Sequence, residues 1–339
     1  MDLPREMMAL VLRHDGPSSE EAGQGLDDLA PFVALDEVPL PEPRAGEALI
    51  RVARASVNPS DIAYIKGRYG RPRRKGVPAG LEGTGTVVAG DTPFIGRRVS
   101  FFGARSGAWA EYAIAESALL VPVREDVSDE DAAGLIVNPV TAMALFDLVR
   151  EAGAESFVAT AAGSQLGKFL IGLGAEAGIG CLAVVRRDAL VSPLTELGAA
   201  EVLIEGDPGF AEACRAAMET HRPAVLLDAV GGQTSADVFF AMPPGARWVV
   251  YGRLSTTPPV LGEMAQFIFR DKRIEGFWLS RWFRDQPQET VARVLGEVQA
   301  RFADGRWRTD VSAVVPLGEA LAELPAAYAR HDSKVLLAP

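Results

Sequence analysis

The rhythm of apolar and polar positions changes near residue 125. Before it, apolar residues come in short runs broken by Gly and Pro, at 7–12 (MMALVL), 48–55 (ALIRVARA), 83–89 (GTGTVVA), 97–102 (RRVSFF) and 109–115 (WAEYAIA). None of them has a helical period of comparable strength, so this part is predicted to be an irregular, mainly antiparallel β domain. The polar, acidic stretch from Asp15 to Ala30 reads as a solvated loop. From about Val127 strand-like runs at 157–161, 181–185, 202–204, 224–228, 247–251 and 274–280 alternate with helix-length segments. Six strands alternating with helices predict an α/β domain whose parallel sheet is covered on both faces. A helical segment from Gln288 to Phe302 and two further runs, 311–315 and 334–337, have no mate in that series and are expected to return to the first domain. The resulting division is 1–124 with 283–339, and 125–282.

Composition narrows the possibilities. At 339 residues the chain is long enough for two proper cores, and a net charge of −11 argues against general nucleic-acid binding, which relies on neutralising phosphates. No apolar run approaches the ~18 residues of a membrane span, and the start, MDLPREMM, has no signal-peptide core, so no membrane partner and a cytoplasmic location are expected. The cysteines are Cys181 and Cys214, and the histidines, His14, His221 and His331, are far apart. No CxxC or HExxH pairing exists, which disfavours metal chemistry.

One segment carries a candidate ligand site. Phe157 to Arg187 reads as a hydrophobic strand, a small-residue turn, an amphipathic helix and a second strand. The turn, Ala162-Gly163-Ser164-Gln165-Leu166-Gly167, lets backbone approach a pyrophosphate at a helix N-terminus, although it lacks the first two glycines of G-x-G-x-x-G. The same residues would serve as an ordinary strand-to-helix turn; their place at the first of six alternating strands favours nucleotide binding. At the end of the second strand stand Arg186 and Arg187, where NAD-binding chains usually carry Asp or Glu. Such a basic pair suits a 2′-phosphate, hence NADPH, unless it is only a solvated strand end.

The motifs extend over nearly the whole chain: Gly46-Glu47-Ala-Leu-Ile-Arg-Val, Val57-Asn58-Pro59-Ser60-Asp61, Gly67-Arg68-Tyr69-Gly70, Gly80-Leu81-Glu82-Gly83-Thr84-Gly85, Leu197-Gly198-Ala199, Asp228-Ala-Val-Gly231-Gly232 and Tyr251-Gly252. Together they resemble the medium-chain dehydrogenase/reductase superfamily. The resemblance implies a GroES-like, mainly β catalytic domain and a Rossmann domain with a doubly wound, six-stranded parallel sheet. Where zinc enzymes of the superfamily place a Cys, a His and a second Cys, the matching positions are Asn58, Leu81 and Asn138. An amide and an isobutyl group cannot replace a thiolate and an imidazole, so no catalytic zinc is expected. The structural-zinc loop is also missing.

Within the zinc-free branch three segments are similar to 2-enoyl thioester reductases of mitochondrial type: Asn58 to Gly70, Val184-Val-Arg186-Arg187-Asp, and Phe267 to Trp282 with its Gly276-Phe277-Trp278-Leu279. That resemblance implies NADPH-dependent reduction of a C=C bond conjugated to a thioester, with Tyr69 as the proton or hydrogen-bond donor. Asn58 and Asp61 lie in the corresponding active-site segment, though Asn-Pro-Ser-Asp is equally a good turn and helix cap. It further implies that Thr141, Tyr251, Gly252, Phe277 and Trp278 stand near the nicotinamide, that Lys334 stands near the cofactor phosphates, and that Ile274 to Leu279 pairs with its copy in a homodimer. A quinone or small-enone reductase is the nearest alternative. An NADPH-binding structural or regulatory protein with negligible turnover is an alternative of another class. Finally, Arg68, Arg71, Arg73, Arg74 and Lys75 surround Tyr69, a basic cluster that would suit the phosphates of a coenzyme A or acyl-carrier handle, or be a solvated loop.

Overall fold

The computed structural model describes residues 3–18, 25–329 and 333–339. Residues 19–24 of the expected acidic loop, and His331, lie outside the described residues. Contacts divide the chain into two units, Met1–Asn138 with Ala292–Pro339, and Pro139–Val291. Both divisions fall inside helices.

The first unit is built on β strands. Its elements in order are β1 (Glu6–Leu12), β2 (Val33–Pro39), β3 (Glu47–Val57), α1 (Pro59–Ile65), β4 (Glu82–Gly90), β5 (Arg98–Phe102), β6 (Tyr112–Glu116), β7 (Val121–Pro122) and α2 (Asp129–Ala133). β1 and β2 form an antiparallel pair, while β3, β4, β5 and β7 lie side by side with β6 added against β3. The run expected at 109–115 becomes a strand only from Tyr112. Trp109 instead turns its ring wholly into the core, where the indole N–H donates to the Ser56 carbonyl at 3.1 Å. Gly80, at φ +89°, passes so close that a Cβ there would lie 2.4 Å from the Trp109 ring. Helix α1 was not apparent from periodicity because seven residues are too few to show one. Its start is chemically marked all the same: Asn58 is the cap residue and Pro59 follows at the first helical position, where a missing N–H costs nothing.

The chain continues through α3 (Val137–Glu151), β8 (Ser156–Thr160), α4 (Gln165–Ala177), β9 (Gly180–Val185), α5 (Val191–Glu196), β10 (Glu201–Ile204), α6 (Phe210–His221), β11 (Val225–Asp228), α7 (Gln233–Ala241), β12 (Arg247–Val250), α8 (Ala265–Phe269), β13 (Arg273–Gly276) and α9 (Leu279–Asp285). All five pairings in this sheet are parallel, in the order β10-β9-β8-β11-β12-β13. This is the doubly wound arrangement of the Rossmann fold, and its order reverses between β8 and β11. The loops leaving those two strands therefore flank the crevice where such sheets bind ligands. Val158, Leu182, Leu226, Phe239 and Trp248 fill one core of this unit.

The strand expected over 274–280 ends earlier, at Gly276. Trp278 caps α9, and Leu279 is buried at its first turn rather than displayed on an edge. After α10 (Gln288–Ala303), β14 (Val311–Pro316), α11 (Ala320–Tyr328) and β15 (Lys334–Ala338) return to the first sheet, with β15 antiparallel to β3 and β14 parallel to β15. No helix among the described residues is long and apolar enough to cross a membrane.

Candidate functional site

In the first unit, three of the singled-out residues, Asn58, Asp61 and Lys334, meet in one buried polar cluster. β3 ends at Val57, the Asn58–Pro59 cap turns the chain into α1, and β15 begins at Lys334, so the sheet brings distant segments together. Asn58 Oδ1 accepts from Lys334 Nζ, and Asn58 Nδ2 donates to Glu82 Oε2 at 3.2 Å. Glu82 Oε1 accepts from the backbone N–H groups of Ile136 and Val137, both at 2.7 Å, at the entry to α3. Asp61 accepts from Asn58 N at 2.8 Å and Leu81 N at 2.7 Å. Both ends of the Asn58 amide are thus engaged within the protein, which makes Asn58 a connector.

Burial dominates the electrostatics here. It pushes the Glu82 carboxyl up, opposed by Lys334 and three hydrogen bonds, and pushes the Lys334 ammonium down, opposed by Glu82 and Asp61. Removing one partner of such a cluster would leave an uncompensated buried charge, at a cost of about 3–5 kcal/mol. Leu81, at the second position aligned with a metal ligand, is buried and apolar. Among the described residues, no group of three or more His, Cys, Asp or Glu side chains is placed to hold a metal ion.

Tyr69 follows α1 on the next loop, half-buried against the core of this unit, with its ring edge-to-face to Tyr64 at 6.3 Å. The basic residues around it have different fates. Arg73 is buried and donates to the carbonyls of Gly16 at 3.0 Å and Ile65 at 2.9 Å, so it braces the loop instead of offering charge to a ligand. Arg71 lies 5.0 Å from the Tyr64 ring centre, whereas Arg74 and Lys75 are exposed.

In the second unit the turn after β8 is built for close approach. Ser164 caps α4, its Oγ accepting from Gly167 N at 3.2 Å, and no acidic side chain in the first turn competes with an anionic ligand for the positive end of the helix dipole. A Cβ on Gly167 would come within 2.4 Å of the Ala162 carbonyl oxygen, which explains why the third glycine of the motif is kept. A Cβ on Gly163 would lie 2.5 Å from Leu190 Cδ1. Leu190 belongs to the short turn that follows Arg186 and Arg187, so this packing sets the exposed arginine pair beside the phosphate-type turn. Gln165 and Leu166 are buried in the first turn of α4. Ala161 holds φ +48°, a left-handed conformation costing an L-residue roughly 1–2 kcal/mol.

Tyr251 and Gly252 follow β12, and both of their N–H groups donate to the Asp228 carbonyl. The Tyr251 hydroxyl oxygen is buried with no hydrogen-bond partner among the described residues, and burial holds the phenol above its ordinary range. Close-packed turns that leave no room for a Cβ, and a helix N-terminus with no acidic side chain in its first turn, fit a phosphate-bearing dinucleotide. Thr141 is buried on α3, while Phe277 and Trp278 are half-buried just past β13. Glu82, which begins β4, and Asp228, which ends β11, are functional residues that motif reading does not distinguish. Their sequence signal is a lone carboxylate at a strand terminus among Gly and apolar residues.

Comparison with known proteins agrees with this layout. Residues 44–125 match the Alcohol dehydrogenase GroES-like domain. The mitochondrial enoyl-[acyl-carrier-protein] reductase of Caenorhabditis elegans is 30% identical over 255 residues, covering 71% of this chain and 71% of that protein. The Bos taurus protein of the same name is 28% identical over 332 residues, covering 95% of this chain and 86% of its own. A crystal structure from Mesorhizobium loti, of a protein provisionally named NADPH:quinone reductase, superposes with a TM-score of 0.96 at 46% identity, covering 100% of both chains.

The buried cluster carries a pH signature. Burial pushes the Asp61 carboxyl from its ordinary 3.8 up to about 7, against the N–H groups of Asn58 and Leu81 that hold it down. Between those values the native state keeps a proton that the unfolded chain has released. This group's contribution is therefore fully present below its unfolded value and is lost as pH rises through the folded one, with a slope of about 1.4 kcal/mol per pH unit. Urea denaturation from pH 4 to 7 should show stability falling less steeply in Asp61→Asn than in the wild type; parallel slopes would contradict this.

Proposed function

The chain belongs to the medium-chain dehydrogenase/reductase superfamily and is an oxidoreductase, and from that premise we propose that it reduces the C=C bond of α,β-unsaturated thioesters with NADPH and without zinc. The observation that carries this reading is the state of Asn58 and Leu81. One is tied at both ends to Glu82 and Lys334 and the other is an isobutyl group, so neither offers the donor set that zinc prefers. Polarising a substrate carbonyl then falls to a side-chain donor, and Tyr69 is the phenol on the adjoining loop.

When bound, NADPH supplies a hydride, which the β-carbon of the conjugated alkene accepts. Negative charge then collects on the thioester oxygen as an enolate, and completion requires a proton at the α-carbon. Tyr69 serves as the hydrogen-bond or proton donor, since a phenol with an ordinary pKa of about 10 stays protonated at neutral pH. Ser164, Gly163 and Gly167 would hold the pyrophosphate at the start of α4, the Arg186–Arg187 pair would take the 2′-phosphate, and Thr141, Tyr251, Gly252, Phe277 and Trp278 would contact the nicotinamide. Arg74 and Lys75, exposed beyond the braced Arg73, suit the phosphates of a coenzyme A handle. A quinone or small enone is the second reading, favoured by the name of the Mesorhizobium loti relative.

A homodimer belongs to the same reading. β13 is the last strand of its sheet with all four of its residues exposed, Ile274 among them, and Ile268 and Phe269 of the preceding α8 are 75% and 82% exposed. An unpaired strand edge is a template on which a second copy can pair. Sedimentation should give a dimer, and Ile274→Glu a monomer; a wild-type monomer would refute the assembly.

Two substitutions test the chemistry. Tyr69→Phe should lower kcat with an enoyl-CoA by about 10²- to 10³-fold while NADPH affinity holds; unchanged turnover would exclude the role. Arg186→Ala should weaken NADPH binding by roughly tenfold or more and leave NADH nearly untouched, as expected for loss of a charge-assisted bond to phosphate. Equal losses for both cofactors would remove the assignment.

A further inference from the structure

Asp228 ends β11 beside the point where the sheet order reverses, and its side chain is wholly buried. Five donors converge on it. Oδ1 accepts from Thr160 Oγ1 at 2.6 Å, Ser235 Oγ at 2.8 Å and Val230 N at 2.9 Å; Oδ2 accepts from Trp248 Nε1 at 2.8 Å and Gly231 N at 3.0 Å. Every neighbour is a donor, so the geometry calls for an acceptor-only carboxylate. The backbone carbonyl of the same residue takes the N–H groups of Tyr251 and Gly252. One residue thus gathers the ends of β8, β11 and β12 together with α7.

The connection to β8 is the informative one. Thr160 is the last residue of that strand, and its hydroxyl also accepts from Ala229 N at 2.9 Å. The next residue is Ala161, the non-glycine held at φ +48°, and after it comes the Ala162–Ser164 turn into α4. A strained residue persists only where its surroundings over-determine it, and the Thr160–Asp228 bond fixes the strand end from which the turn departs. Ser235 donates to the same oxygen from the first turn of α7, which follows the Val230–Gly232 loop, and so lies outside β8 and the turn into α4.

We infer that Asp228, acting through Thr160, is a positioning residue that sets the phosphate-binding turn for the cofactor. This rests on the dinucleotide reading above and deepens it, since it distinguishes two hydrogen bonds to one carboxylate oxygen by where they lead. The device needs no contact between Asp228 and the ligand. It acts by fixing where the first turn of α4 begins relative to the Val230–Gly232 and Tyr251–Gly252 loops.

The test compares three single variants of the full-length protein by NADPH fluorescence titration and thermal unfolding. Thr160→Val removes the hydroxyl with little change of shape, Thr160→Ser restores a hydroxyl, and Ser235→Ala removes the matched bond on α7. Thr160→Val is expected to raise the Kd for NADPH about tenfold or more, as when a positioning contact is lost one step from the ligand. Thr160→Ser should bind within about twofold of the wild type, and so should Ser235→Ala, although its unfolding midpoint falls as far as that of Thr160→Val to within about 3 °C. The inference is overturned if Thr160→Val binds NADPH like the wild type, or if Ser235→Ala loses as much affinity. Wild-type protein that binds no NADPH would instead sink the dinucleotide reading on which the inference stands.

Discussion

A carboxylate removed from water is tolerated only where donors replace its hydration. Each unit of this chain has used that requirement to fasten its functional segments. In the first, Glu82 and Asp61 collect the cap of α1, the backbone before β4 and the entry to α3, with Lys334 closing the cluster through Asn58. In the second, Asp228 collects three strand ends and a helix. Because an unsatisfied member would be expensive, each cluster specifies one arrangement of loops that would otherwise have many.

The charge distribution becomes intelligible against that background. The chain is acidic overall, yet its arginines are not interchangeable phosphate receptors. Arg73 is internal and braces a loop through two carbonyls, whereas Arg186 and Arg187 stand exposed beside the turn into α4 because Leu190 packs on Gly163. The same distinction applies to the amides and hydroxyls. Asn58 is exhausted by its neighbours, while the Tyr251 hydroxyl is buried and has no hydrogen-bond partner among the described residues.

Much of the architecture was legible in the sequence. Six apolar runs alternating with helices foretold the parallel sheet, and the absence of a mate for 311–315 and 334–337 foretold their return to the first sheet. Boundaries were less legible where packing outweighed periodicity. Trp109 left its strand for the core, and Leu279 left the expected edge to begin α9. For the site, sequence identified Asn58, Asp61 and Lys334 one at a time, but their convergence across 276 positions depends on β15 pairing with β3. Asp228 was invisible as a centre because its five donors come from Thr160, Val230, Gly231, Ser235 and Trp248, which only the folded sheet assembles.

The proposed reduction of a conjugated thioester by NADPH can be read from steady-state NADPH oxidation with a short and a long enoyl-CoA, a quinone and a simple enone in parallel. The highest kcat/KM is expected for an enoyl-CoA and, with cofactor deuterated at the transferred position, label is expected on the β-carbon of the saturated thioester. A higher kcat/KM for the quinone, or no label at that carbon, would contradict it.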